Sequence, residues 1–139
     1  MKDNSLGKIY QHGEVVFRQG ERGDLMYVIQ EGKVEIVREL NGKETILAVR
    51  VAGDFFGEMG LFEKETRMAT VRALGEARIL TVDKKNLMRR IHEDPSLAYQ
   101  IIRTLSKRVR ELSEEVGQLE TWLLEAGLIE VQKARNENR

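Results

Sequence analysis

The stretch LMYVIQEGKVEIVRELNGKETILAV, residues 25–49, decides the fold of the first part of the chain. It contains three short apolar runs, LMYVI (25–29), VEIV (34–37) and TILAV (45–49), in which apolar and polar residues partly alternate, as in half-buried strands. The dipeptide Asn41-Gly42 separates the last two runs and is a strong signal for a two-residue hairpin turn. The stretch therefore predicts antiparallel β structure.

The same pattern continues on both sides of this stretch, in EVVF (14–17), ATVRAL (69–74) and RILTV (78–82). Glycines at positions 13, 20, 23, 32, 42, 53 and 75 separate the runs, and we expect them to adopt the positive φ of tight turns. Many short strands at this spacing predict a jelly roll or a small barrel.

The carboxy-terminal part of the chain changes to a helical period. Asp83 has the chemistry of an N-cap for a short helix in KKNLMRRIHEDP, and Pro95 either closes this helix or opens the next one. A long helix is then predicted from about Ser96 to beyond Leu124. Its apolar residues follow a 4-3-4-3 spacing at Ala98, Ile102, Leu105, Val109, Leu112, Val116, Leu119, Leu123 and Ala126.

A heptad seam of this length predicts a parallel homodimer, and the alternative is a long helix that lies on its own barrel. The predicted dimer-interface residues are Ile102, Leu105, Val109, Leu112, Val116, Leu119 and Leu123. The fold class is α+β. We expect an antiparallel β jelly roll or barrel with short helices over residues 1–94, a dimerisation helix over 95–126 and a polar tail over 127–139.

Charge and composition narrow the classes of function. The 139 residues include 23 Lys or Arg and 23 Asp or Glu, a balance that indicates no nucleic-acid or membrane partner. The chain has no cysteine, and its two histidines, His12 and His92, are 80 positions apart, so neither a metal site nor a metal-dependent enzyme is expected. No apolar run approaches the roughly 20 residues of a membrane span. These features predict a cytoplasmic protein that is not an enzyme.

The segment GEMGLFEKETRMATV, residues 57–71, interrupts the β pattern. GEMGLF reads as a short helical turn with Glu58 at its start, and its free N–H groups favour an anion that Arg67 would also bind. Ionised Glu58 only accepts hydrogen bonds, so it would need a hydroxyl donor. A ligand that carries a phosphate next to a hydroxyl group matches the sugar phosphate of a nucleotide. The alternative is that both residues are surface charges, paired weakly at best.

These residues resemble a known family. GEMGLF, then Arg67, then MATV is similar to the phosphate-binding cassette of cyclic nucleotide-binding domains, and FRQGERGDLMYVIQEGKVEIV (17–37) resembles the early strands of that family. The resemblance implies that Glu58 accepts the ribose 2′-hydroxyl and that Arg67 pairs with the cyclic phosphate. The backbone N–H groups of Gly57, Glu58 and Ala69 would complete the site, whose other candidate members are Met59, Gly60 and Met68. The implied ligand is cAMP or cGMP, without a metal.

Two positions depart from the family pattern. Met68 stands where serine, threonine or alanine is usual, and Thr66 stands where many members have proline. Met68 offers no hydroxyl to the phosphate. Along the long helix, RELSEEVGQLE (110–120) resembles the dimerisation helix of bacterial cyclic-AMP receptor proteins. Leu112 and Ser113 occupy the two positions that contact adenine there, so Ser113 is a candidate ligand contact from the partner helix.

The resemblance implies a regulatory sensor in which ligand binding changes the conformation and the dimer helix relays it to a separate effector protein or a missing output domain. The 15 residues after Leu124 are too few for a helix-turn-helix, so we expect no direct DNA binding. One alternative is a jelly-roll dimerisation or scaffold module with a degenerate pocket. Others are a sensor for a different small effector, with haem disfavoured, and the amino-terminal fragment of a longer transcription regulator.

Overall fold

A computed structural model describes residues 6–130 of the chain. Within this range the chain forms eight strands and three helices. The strands, in chain order, are β1 Lys8–Tyr10, β2 Val15–Phe17, β3 Met26–Glu31, β4 Lys33–Leu40, β5 Lys43–Val51, β6 Phe55–Phe56, β7 Thr70–Ala73 and β8 Ala77–Val82. The helices are α1 Glu58–Glu63, α2 Lys84–Glu93 and α3 Ser96–Glu125.

The strands form two antiparallel four-stranded sheets, in the orders β1-β8-β3-β6 and β2-β7-β4-β5. The core cluster draws buried side chains from both sheets, namely Tyr10, Ile29, Val34, Phe56, Val71, Ala73, Ala77 and Ile79. Each large apolar side chain buried in this way contributes about 1.5–3 kcal/mol of transfer free energy. The predicted jelly-roll-like α+β architecture is confirmed.

The β4–β5 hairpin forms where the sequence predicts it. Leu40 pairs with Lys43, and the two turn residues between them, Asn41 and Gly42, have φ values of 55° and 77°. Positive φ at both central positions defines the turn whose twist matches that of the flanking strands, which is why Asn-Gly is favoured there.

Two strands were not predicted. β1 has three residues and β6 has two, so neither is long enough to show an alternating pattern, and both Phe55 and Phe56 of β6 are buried. The prediction for Gly23 is wrong: the other six turn glycines have positive φ, whereas Gly23 does not. The physical reason for a glycine at this position is a close contact with Arg67.

Both predicted helices are present. The Asp83 side chain caps α2, because its Oδ1 accepts a hydrogen bond from the Asn86 backbone N–H at 2.7 Å. Pro95 opens α3, since it occupies the position immediately before Ser96. Among the described residues, no helix combines the length and hydrophobicity that crossing a membrane requires.

The chain divides into two compact units, Met1–Asp94 and Pro95–Arg139. The first contains both sheets, α1 and α2, and the second contains α3. Residues 131–139 of the predicted polar tail lie outside the described residues.

Candidate ligand-binding site

The candidate site begins where β6 ends. Gly57 precedes α1 with a φ of 74°, a left-handed conformation that glycine adopts without steric cost. The turn places Glu58 in the first turn of α1, where only 9% of the residue is exposed. The predicted helical turn in GEMGLF is therefore present, and it carries its carboxylate into the unit and away from solvent.

The chain then returns to place Arg67 beside this turn. α1 ends at Glu63 and is capped by Lys64, whose N–H donates to the Gly60 carbonyl at 2.9 Å. The backbone of Arg67 is held by the loop between β2 and β3: its N–H donates to Glu21 O at 2.7 Å, and its carbonyl accepts from Gly20 N at 2.8 Å. A loop from a distant part of the sequence thus fixes the backbone of Arg67.

The Arg67 side chain is buried, with 7% of the residue exposed. Its Nη1 donates to Gly57 O at 2.7 Å and its Nη2 donates to Leu25 O at 2.8 Å. Its Nε–H is buried and has no acceptor among the described residues. A buried donor without an acceptor costs free energy, which an acceptor supplied by a bound molecule would offset.

Aromatic side chains surround the guanidinium. Arg67 Cζ lies 4.1 Å from the ring centroid of Phe17 and 5.9 Å from that of Tyr27. The Tyr27 ring stacks on Phe56, with centroids 5.2 Å apart. Burial raises the pKa of the Tyr27 hydroxyl, and the positive charge of Arg67 acts in the opposite direction. Phe17 and Tyr27 are not among the site residues predicted from the sequence. Their only signal in the sequence is that each is an aromatic residue within a predicted strand.

Glycines make the space that Arg67 occupies. A Cβ atom at Gly60 would come within 2.5 Å of Arg67 Nη1 and 2.7 Å of Gly23 O. A Cβ atom at Gly23 would overlap Nε and Nη2 of the same guanidinium. Gly23 is therefore required for space rather than for its φ angle. Any larger residue would displace the arginine or distort the loop.

A pocket of about 210 Å³ adjoins this arrangement. Phe17, Gly23, Leu25, Tyr27 and Arg67 contribute to its walls. Three charged residues, Glu21, Arg22 and Asp24, also line this pocket, so its walls combine aromatic rings with charges of both signs.

The other predicted site residues lie as follows. Ala69 is buried, whereas the side chains of Met59 and Met68 are about half exposed, at 49% and 57%. Ser113 lies on α3, in the other compact unit, within a shallow concavity of about 420 Å³ that Val109, Leu112, Val116 and Glu120 also line. The structure brings Gly57, Gly60 and Arg67 together, and Ser113 as a ligand contact stays a prediction.

The burial of Glu58 and Arg67 does not fit the alternative that they are surface charges. In residues 6–130 no three His, Asp or Glu side chains form a group that would hold a metal ion. The arrangement contains a buried cation whose Nε–H has no acceptor in residues 6–130, and a largely buried glutamate in the first turn of α1.

Comparison with known proteins gives a consistent result. A family model described as the cyclic nucleotide-binding domain matches residues 8–94. A CRP-like cAMP-activated global transcriptional regulator of Mycobacterium tuberculosis is 32% identical over 111 residues, which cover 79% of this chain and 50% of that protein. The chain spans about half the length of the curated regulators it matches.

Solved structures agree in fold. The catabolite activator protein of Thermus thermophilus has a TM-score of 0.73 and 31% identity, covering 81% of this chain and 54% of that chain. An EAL enzyme is 29% identical to this chain in both its cAMP-bound and its cGMP-bound forms, with TM-scores of 0.57 and 0.58. These alignments cover 86% of this chain and 32% and 33% of the enzyme chains.

Proposed function

The chain belongs to the cyclic nucleotide-binding domain family, and we propose on this basis that it binds a cyclic nucleotide at the cassette formed by residues 57–69. In this proposal the domain is a regulatory sensor and not an enzyme. Ligand binding changes its conformation, and the dimer helix passes the change to a partner protein or to a further domain.

The observation that carries the proposal is the buried Nε–H of Arg67, which has no acceptor among residues 6–130. A phosphate oxygen is an acceptor of the right charge, and a charge-assisted hydrogen bond to it is shorter and stronger than a neutral one. Gly23 packs against this edge of the guanidinium, where a Cβ atom would overlap Nε, so an acceptor reaches the Nε–H only if this loop moves. A cyclic phosphate therefore supplies what the arginine lacks.

Glu58 is proposed to bind the sugar. A buried carboxylate accepts hydrogen bonds and donates none, so it suits a hydroxyl group and repels a phosphate. The family resemblance implies the ribose 2′-hydroxyl as this donor. Together, Arg67 and Glu58 would recognise the two polar ends of a cyclic ribose phosphate.

Met68 in the cassette and Leu112 on α3 bear on affinity and on base preference. The Met68 side chain is 57% exposed, so its bulk does not fill the interior of the cassette, which supports binding over a degenerate pocket. Leu112 lies on the apolar face of α3, and it leaves Ser113 as the polar candidate near a base. Because the EAL relative has both cAMP-bound and cGMP-bound forms, both nucleotides are proposed as ligands to compare.

Ligand binding is proposed to require movement. The Nε atom of Arg67 is almost completely shielded from solvent, so a phosphate oxygen reaches it only when the neighbouring backbone shifts. Both Nη groups hold backbone carbonyls, one before α1 and one in the loop before β3. Movement of Arg67 would therefore move both segments. A ligand that binds Arg67 more tightly in the shifted conformation would increase the population of that conformation.

The helical unit supports a homodimer as the route of output. Five of the seven predicted interface residues are exposed, namely Ile102, Val109, Leu112, Val116 and Leu119, while Leu105 and Leu123 are half-buried. A contiguous apolar face along a helix of 30 residues is typical of an interaction surface. We propose that a second copy of α3 covers it.

Calorimetric titration with cAMP and cGMP tests the proposed function. The native chain is expected to bind at least one of them saturably, with one site per chain. A well-folded sample that releases no heat and shows no thermal shift with either nucleotide would refute the ligand class.

The role of Glu58 can be tested with a ligand that lacks the 2′-hydroxyl. The native chain is expected to bind 2′-deoxy-cAMP at least about 10-fold more weakly than cAMP, because a hydrogen bond to a charged group contributes about 1.5–3 kcal/mol. In Glu58→Gln the difference should shrink to about threefold, since a neutral acceptor contributes less. The matched control Glu63→Gln, at an exposed position of the same helix, should keep the full difference. Equal affinity of the native chain for both ligands would contradict the assignment.

A further inference from the structure

We infer that Phe17, on strand β2 and outside the cassette, is a positioning residue that fixes the orientation of the Arg67 guanidinium for ligand binding. This inference rests on the proposed function, because it concerns how Arg67 is held ready for the phosphate. Phe17 would then influence the affinity for the nucleotide, although it lies outside the predicted cassette of residues 57–69.

The contact itself is close. Arg67 Cζ lies 4.1 Å from the Phe17 ring centroid, well within the range of cation–π attraction. The ring packs beside two other aromatic residues, with centroid distances of 5.6 Å to Tyr27 and 6.0 Å to Phe56. Tyr27 and Phe56 in turn stack on each other. We call Phe17, Tyr27 and Phe56 the aromatic shelf.

The hydrogen bonds of Arg67 do not fix the tilt of the guanidinium plane, and contact with the aromatic shelf limits this tilt. Nη1 and Nη2 are each held by one carbonyl, so two points of the planar guanidinium are fixed. The Cδ–Nε bond is a third attachment, but rotation about the side-chain bonds still lets the guanidinium plane tilt, and this tilt sets the direction of the Nε–H bond. The Phe17 ring lies within 4.1 Å of the guanidinium carbon and limits the tilt.

The strand pairing brings Phe17 to this place. β2 pairs with β7, and Phe17 lies opposite Val71, four positions after Arg67. The register between the two strands is irregular between Val15 and Phe17. Phe17 is only half-buried, whereas Phe56 is fully buried, so its position at the rim of the core is consistent with a role at the site.

Binding measurements on Phe17 variants test the inference. Phe17→Leu keeps an apolar side chain but removes the ring, and it is expected to weaken cyclic nucleotide binding by about 5- to 30-fold. Phe17→Tyr keeps the ring and should stay within about twofold of the native affinity. The matched control Phe55→Leu, at a buried phenylalanine of β6, should lower thermal stability without this loss of affinity.

A double-mutant cycle identifies the route of the effect. In an Arg67→Gln background, Phe17→Leu is expected to change affinity by less than about twofold, because the charge on which the ring acts is gone. An undiminished effect in that background would show that Phe17 acts elsewhere, and a native affinity in Phe17→Leu itself would overturn the inference.

A ligand-free measurement separates this inference from the proposed function. In an NMR spectrum of the native chain, the Nε–H signal of Arg67 should be shifted upfield by the Phe17 ring and should lose this shift in Phe17→Leu. An Nε–H signal that is identical in both proteins would overturn the contact whether or not a nucleotide binds. If the shift is present but the native chain binds no cyclic nucleotide, the proposed function fails and the contact stands.

Discussion

Replacing Arg67 with alanine is expected to weaken the binding of cyclic nucleotide by at least about 100-fold. A hydrogen bond to a charged group contributes about 1.5–3 kcal/mol, and the attraction between the guanidinium charge and the phosphate adds to it in a site shielded from water. A total of about 3 kcal/mol corresponds to roughly a 100-fold change in affinity. Titration calorimetry of the native chain and the variant measures the difference.

The same substitution also affects stability, so its controls matter. Arg67→Ala removes the donors to Gly57 O and Leu25 O, which should cost about 1–3 kcal/mol for each carbonyl left without a partner. Arg67→Lys keeps the charge without the planar fork and is expected to lose about 10-fold in affinity with less loss of stability. Arg18→Ala, at an exposed position, should change neither. A folded Arg67→Ala protein with native affinity would contradict the proposed phosphate contact.

Replacing Val116 with aspartate is expected to convert a dimer into a monomer. Val116 lies in the middle of the apolar face of α3 and is 54% exposed in the single chain. In the proposed dimer the substitution would bury an unpaired carboxylate from each copy, at a cost of roughly 3 kcal/mol or more. Sedimentation or light scattering should give about twice the chain mass of 16.0 kDa for the native protein and the single mass for the variant.

The control for this prediction lies two positions away. Gln118 is exposed and lies outside the heptad seam, so Gln118→Asp introduces the same charge on the same helix and should leave the dimer intact. A native chain that is monomeric at high concentration would refute the homodimer. Dissociation caused equally by both substitutions would place the interface elsewhere.

Much of the fold could be predicted because its determinants are local. The strand signals in residues 25–49, the Asn41-Gly42 turn and the Asp83 cap each act within a few residues, and the structure contains the strands, the turn and the cap. The half-buried pattern expected for TILAV is absent, because Ile46, Leu47 and Val49 of β5 are all exposed. β6 was missed because a strand of two residues carries no period. Its pairing with β3 depends on the order of strands in the sheet, which a local pattern does not encode.

The candidate site could be predicted only in part. The residues of GEMGLF and Arg67 stand out through their family resemblance, whereas the chemistry of Glu58 and Arg67 alone favours ordinary surface charges. Phe17 and Leu25 meet Arg67 through tertiary packing, so nothing in the sequence links them to it. The prediction of positive φ for Gly23 was wrong because the sequence does not distinguish a glycine that is needed for space from one that is needed for positive φ.

The Nε–H signal of Arg67 during a titration with cAMP gives the most direct test of the central claim. This donor is buried and has no acceptor in residues 6–130. If a cyclic phosphate binds there, the signal should move downfield to a saturating value as cAMP is added, and adenosine, which has no phosphate, should leave it unchanged. Saturable binding of cAMP with no movement of this signal would contradict the account.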